Sequence, residues 1–453
     1  MKSNFVENSK LKAYSHSSND SIRYINPLDI NIPSGHSIEN FVQGLDSPIG
    51  MVFTEEGDLY IACSCMASGN AMVIRLSDGR FDVIAENFQV PLTGINYLDG
   101  DLYVSHKGYI TVIHSNGTRI DIIAGLPCNG DFGTSNVAFG PDGKIYFGQG
   151  TVTNSGVVGP DNQWVFNHPF LHDLPASDIV VNGQNYETPN MLHDKGESTY
   201  TGAFSPYGVP NKLNEIKKGY VKASGSILRA NRDGSNLELV AWGFRNPIHI
   251  NFDRDFRLFV ANRGLDVRGS RPIANASDEF QLVTPGVWYG WPDYSAGEPV
   301  TLPKFKPEGG QQPEFLLTNH PNVPPRPYSE FPPHTTITGF DFNYNSNFGT
   351  YGDVYISLFG SLGPMTMGRS APYDGIGYNI SKIDMKTGNI ITFINNRSGL
   401  PANEKRGGGL GRPLDVAFGP DGAMYILDMG MNDPLFMNRI VPNSGVIWRV
   451  SKL

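Results

Sequence analysis

The chain has 453 residues, with 52 Gly, 33 Pro, 11% aromatic and only 17% charged side chains, a balance that excludes both a coiled coil and a disordered chain. A formal net charge of −9 argues against a general phosphate-backbone binder and leaves room for a local basic pocket. No apolar run approaches the ~20 residues of a membrane span, so no membrane insertion is expected.

Residues 1–33 are polar and read as a poorly structured leader. They contain no apolar signal-peptide region. The chain as written is therefore expected in the cytoplasm, or exported if a native signal has been removed. From residue 34 onward one pattern recurs: a short apolar strand, a Gly- or Asp-containing turn, then an apolar-aromatic strand. The copies run over residues 47–62, 90–105, 136–148, 246–261, 338–357 and 412–427. Their aromatic anchors are Tyr60, Tyr103, Tyr146, Phe259, Tyr355 and Tyr425; the first three are 43 residues apart, the period of one propeller blade. Pro-Asp-Gly suits the turns because Pro fixes φ and Gly accepts positive φ. A second hairpin lies between copies, as in residues 71–85 and 226–240. Four antiparallel strands per unit and six units predict an all-β, six-bladed propeller over 34–453. A long insertion at about 149–222 falls between the two hairpins of the third blade. It reads equally as a binding rim or as packing. The lone strand at Gly445–Val450 is expected to pair with Ser37–Gln43 and close the ring. Cys63, Cys65 and Cys128 are too few for a disulfide scaffold and read as buried or half-buried thiols.

The loops leading into the inner strands converge in such a fold. They carry Asp46, Gln89, Asp131, Arg245, Asn246, His334 and Arg412. Two arginines at one mouth suit an anionic ligand, because guanidinium grips carboxylates bidentately; the alternative is that each ties neighbouring blades through backbone carbonyls. The loop from Asn262 to Arg271 could turn carbonyls toward a hard cation such as calcium, or be an ordinary connection. No P-loop, dinucleotide fingerprint or G-x-S-x-G is present, so nicotinamide and ATP chemistry lack support.

At these loops the chain resembles the soluble PQQ-dependent glucose/sorbosone dehydrogenases, six-bladed propellers that oxidise aldoses. The segments that carry the resemblance are Trp242-Gly-Phe-Arg-Asn-Pro-Ile, Asn262-Arg-Gly-Leu-Asp, Asp278-Glu-Phe, Gly286-Val-Trp-Tyr-Gly-Trp-Pro-Asp and Gly411-Arg-Pro-Leu-Asp-Val-Ala-Phe-Gly-Pro-Asp-Gly. The resemblance implies a quinone, PQQ, contacted by Arg245, Asn246 and Arg412 near Gly264. It implies a calcium held by the carbonyls of Gly264 and Leu265, and a sugar or other polyol as substrate. Gln89 corresponds to a substrate-side glutamine, with Phe132 and His334 on the same expected substrate side. Arg245 would polarise the quinone, and Asp131 adjoins the position of the catalytic histidine. That position is Phe132, which accepts no proton. Phe359 and Leu414 stand where the family has a lysine and a second arginine. Three readings follow: a quinone-dependent sugar dehydrogenase, a non-catalytic binding propeller that kept the scaffold, and a calcium-dependent lactonase or esterase built on Asp46, Asp131, Asn246 and Asp415.

Overall fold

The computed structural model describes residues 23–66, 68–193, 196–361, 376–402, 407–432 and 439–453. Its six main sheets are antiparallel and follow one another along the chain, giving a six-bladed propeller. Blade 1 is Pro48–Phe53, Leu59–Cys63, Ala71–Ser77 and Arg80–Phe88; blade 2 is Leu92–Leu98, Asp101–His106, Tyr109–Ile113 and Arg119–Ile123. Blade 3 joins Thr134–Phe139 and Ile145–Gln149 to Ser226–Ala230 and Glu238–Trp242. Blade 4 is Asn246–Phe252, Leu258–Arg263, Asp278–Leu282 and Ser329–Phe331. Blade 5 is Ile337–Phe342, Val354–Leu358, Asn379–Ile383 and Ile390–Asn396; blade 6 is Pro413–Phe418, Met424–Asp428, Gly445–Lys452 and His36–Leu45. Among the described residues no helix is long and apolar enough to cross a membrane.

The chain divides into two units, residues 1–121, 335–362 and 373–453, and residues 122–334 and 363–372. The first holds blades 1, 5 and 6 and nearly all of blade 2; the second holds blades 3 and 4.

Local chemistry explains the repeated hairpin. Gly143 and Gly422 take positive φ at the Pro-Asp-Gly turns. The turn aspartate then accepts from the aromatic anchor three residues beyond the glycine: Tyr146 Oη donates to Asp142 at 2.9 Å and Tyr425 Oη to Asp421 at 3.0 Å. An arginine on the third strand joins each pair, Arg229 on Asp142 at 3.3 Å and Arg449 on Asp421 at 2.8 Å. Every first strand carries a register shift near its start, at Pro48/Gly50, Leu92/Gly94, Thr134/Val137, Pro247/His249, Ile337/Phe340 and Pro413/Asp415. Such bulges re-aim the residues that precede them.

Inner strands of consecutive blades are latched by side chains. Within the first unit, Met51 N donates to Asp415 at 3.1 Å and Phe418 N to Asp341 at 2.9 Å. Within the second, Asn136 exchanges two 3.0 Å bonds with the Ile250 backbone. Apolar clusters fill the space between these blades, such as Leu59, Ile61, Leu427 and Ile447, or Val240, Ile250, Leu258 and Val260.

The expected ring closure is present: Asn40 lies opposite Trp448 and Ile38 opposite Val450. Part of the expected leader is built into the fold. Arg23 is buried and donates to Asp428 at 2.7 Å, Ser444 O at 3.0 Å and Gly409 O at 2.5 Å. Ile30–Asn31 adds a fifth strand to blade 5 through Asn395 and Asn396. Residues 1–22 lie outside the described residues.

The insertion is ordered, with two small ribbons, Ile179–Val181 on Glu215–Lys217 and Asn185–Pro189 on Ser198–Gly202. Its apolar face packs on the excursion of blade 4, where Val157, Val181 and Phe204 share a core with Trp288, Trp291 and Leu317.

Candidate functional site

The second unit gathers a charged centre from four segments. Arg245 ends the loop into blade 4 and is 4% exposed. Its Nη1 donates to Gly264 O at 2.5 Å and its Nη2 to Asp266. Asp266 N is fixed by Asn154 Oδ1 at 2.9 Å. Arg268 then spans three carboxylates: Asp131 at 2.7 Å, Asp161 at 2.5 Å and Asp266 at 3.3 Å. Asp131 also accepts from Asn162 Nδ2 and Trp164 Nε1, both at 3.0 Å. Thus Asp161, Asn162 and Trp164 bring the insertion into contact with this charged network.

Burial and charge compete here. Burial alone would raise the Asp266 carboxyl, but Arg245, Arg268 and His334 outweigh it and hold it below its usual range. Burial lowers Arg245, with Asp266 opposing. Burial would lower Arg268 too, but Asp131, Asp266 and Asp161 reverse the shift and raise it. A narrow cleft adjoins the network, lined among others by Arg245, Asn262, Arg263, Glu279, Tyr289 and Tyr294. Burial pushes Arg263 down to about 10, against Asp278 and with Arg245 reinforcing. Arg245 Nε is buried there without a hydrogen-bond partner.

The expected residues are placed as follows. Phe132 is half-buried, with the Arg245 guanidinium 4.4 Å from its ring centroid. Asn246 is buried opposite Arg263, its backbone N donating to Asn262 Oδ1 at 3.1 Å. His334, at φ +65°, sets Nδ1 3.8 Å from Asp266 Oδ1. Leu265 is buried in the core shared with the insertion. Asp131 does not stand free to act as a base, because its carboxylate is committed to Arg268, Asn162 and Trp164.

Gln89 and Arg412 belong to the first unit. Gln89 is exposed on the loop before blade 2. Arg412 is 0% exposed and follows the alternative reading of a tie: Nη1 donates to Phe359 O at 3.1 Å and Ser361 O at 2.9 Å, Nε to Asn432. Its charge lies 4.9 Å from the rings of both Phe359 and Tyr378. Of the lactonase set, Asp46 and Asp415 belong to the first unit and Asp131 and Asn246 to the second. Asp415 accepts from Met51 N and Val416 N, and Asp46 from Ser47 Oγ. Among the described residues no group of three His, Cys, Asp or Glu side chains is placed to hold a metal.

Asp161, Asp266, Arg263 and Arg268 were missed as site residues. The available signal was the density of charged side chains in the Asn262–Arg271 loop, which drew attention only for its carbonyls. The motif acids turn out to brace this loop. Gly264 N donates to Asp278 at 2.7 Å, while Glu279 accepts from Asn262 at 3.0 Å and Ala296 N at 2.6 Å.

No family model matches the chain. Quinoprotein glucose dehydrogenase B of Acinetobacter calcoaceticus is 24% identical over 260 residues, 54% of this chain and 46% of that protein. Over that stretch the chain is similar to a soluble quinoprotein glucose dehydrogenase. The chain spans about half the length of that curated relative. Three solved structures share its fold. The putative oxidoreductase (glucose dehydrogenase) of Thermus thermophilus has a TM-score of 0.54 at 18% identity, covering 92% of this chain and 100% of its own. The PQQ-bound aldose sugar dehydrogenase of Streptomyces coelicolor gives 0.50 at 16%, covering 93% and 100%. The holo PQQ domain of Coprinopsis cinerea pyranose dehydrogenase gives 0.56 at 14%, covering 95% and 97%.

The resemblance implies two groups here, PQQ and calcium, and the residues present fit them differently. A buried, unpartnered Arg245 Nε and a second, half-buried guanidinium, Arg263, fit the carboxylates of PQQ. The Gly264 carbonyl already faces a cation, which does not fit calcium.

Proposed function

We propose that the chain is an oxidoreductase of the quinone-dependent sugar dehydrogenase type, acting on an aldose or another small polyol. The observation that carries this reading is the buried Arg245 Nε, a charged donor without a partner at the edge of the cleft. Leaving such a donor unsatisfied is costly, so an acceptor from a ligand would relieve it. Arg245, Asn246 and Arg263 would hold the quinone. The chemistry such a quinone supplies when bound is two-electron acceptance from a sugar carbon bearing a hydroxyl. Arg245, locked by Gly264 and Asp266, orients the acceptor end without needing to reorganise. Phe132 excludes water above it. The hydroxyl proton falls to His334, whose imidazole is steadied by Asp266 and whose backbone is held in a costly left-handed conformation.

Adding PQQ and a panel of aldoses to the purified protein, and following dye reduction, tests this. Quinone binding at micromolar concentration with sugar-dependent turnover is expected. His334→Gln should lower kcat by roughly 10²-fold or more while sparing quinone affinity. No binding at micromolar PQQ would overturn the proposal. Phe132 over Arg245 favours a second reading, a binding propeller without turnover; it is supported if the natural chain binds a polyol but reduces no dye.

A further inference from the structure

We infer that a guanidinium takes the place of the calcium in this centre, so that the protein binds its ligands without a metal. The resemblance assigns the Gly264 carbonyl to calcium, yet Arg245 Nη1 donates to that oxygen at 2.5 Å. Neither partner can turn aside easily. Gly264 is clamped by its own N–H on Asp278 at 2.7 Å, and a Cβ built on Gly264 would sit 2.3 Å from Ser277 O, so the strand packs tightly against it. Arg245 is enclosed, with Phe132 across one face and Asp266 on its other amino group.

The ligand count points the same way. Calcium takes six to eight oxygens, commonly several of them carboxylate. Asp266 is the carboxylate beside the Gly264 carbonyl, and it is shared by Arg245 and Arg268. The other two acids of the network, Asp131 and Asp161, are gripped by Arg268. A divalent ion set against the same carbonyl would face the guanidinium charges of Arg245 and Arg268 at short range. Ligand anions would instead meet Arg245 and Arg263 directly, with no bridging metal.

The inference goes beyond the proposed turnover and is separable from it. The full-length protein is stripped with EGTA, titrated with calcium chloride by calorimetry and melted with and without the ion. No saturable heat at the centre and a Tm unchanged to within about 1 °C are expected. PQQ affinity, read by fluorescence quenching, should be equal in EGTA and in millimolar calcium. One-to-one calcium binding that disappears in Asp266→Asn, or quinone binding that requires calcium, would overturn the inference. Should no quinone bind under either condition, the proposed oxidoreductase falls, and the calorimetric titration still decides the metal question.

Discussion

Arg268 lies among three carboxylates in a space with little water, and its removal would leave those charges without their shared counter-ion. Arg268→Ala is therefore expected to cost about 3–5 kcal/mol, the usual penalty for breaking a buried ion pair from one side. Urea unfolding of the variant checks it. Phe132 is the other decisive residue. If the reaction lacks only an efficient base, Phe132→His should raise dye-coupled sugar oxidation by roughly 10²–10⁴-fold. An unchanged rate in a folded, quinone-binding variant would show that the ring's position cannot serve proton transfer. Arg245, Asn246, Asp131 and Gly264 were legible as a set, because each abuts a blade motif. Asp161 was not: its partner Arg268 is 107 positions away, and no local pattern announces that pairing. Arg412 reads two ways for a related reason, since a loop arginine looks the same in sequence whether it faces a ligand or backbone carbonyls.

Hairpins were the most readable elements, since alternating apolar residues and Pro-Asp-Gly turns act over short range. The side-chain latches between blades were not readable. Asp415, Asn136 and Gly50 hold equivalent places two residues before the partner of the aromatic anchor, and only packing decides which of them bonds across. The latch at Asp415 has a cost. Burial pushes its carboxyl up to about 8, with the Met51 and Val416 amides opposing. The neutral acid is thus preferred in the folded state, while the unfolded chain titrates near ~3.9. Its stabilisation is complete below that value and is lost as pH rises toward about 8. Asp415→Asn, which copies the side chain of the blade 3 latch, should flatten the decline of Tm between pH 5 and 9. A variant whose melting profile parallels the parent would refute this.

At the scale of the whole molecule, the pairing of His36–Leu45 with Gly445–Lys452 was anticipated from one unmatched strand at each end. The work of residues 23–33 was not, because a polar segment carries no periodicity and Arg23 acquires meaning only beside Asp428. Trp448, fully enclosed in the closing blade, is a sensitive reporter of that pairing. Trp448→Ala should cost about 3–5 kcal/mol, measured as a shift of the denaturant midpoint.

The same closure sets a timetable for biosynthesis. Glu39 and Arg449, which meet across the last two strands, are 410 positions apart. At ~5–20 residues per second the ribosome needs on the order of half a minute to deliver the second after the first. Throughout that interval His36–Leu45 is an edge without a neighbour, guarded by Glu39, Asn40 and Gln43 against pairing with other nascent chains. A chain cut before Gly445 would leave His36–Leu45 with no strand to pair with.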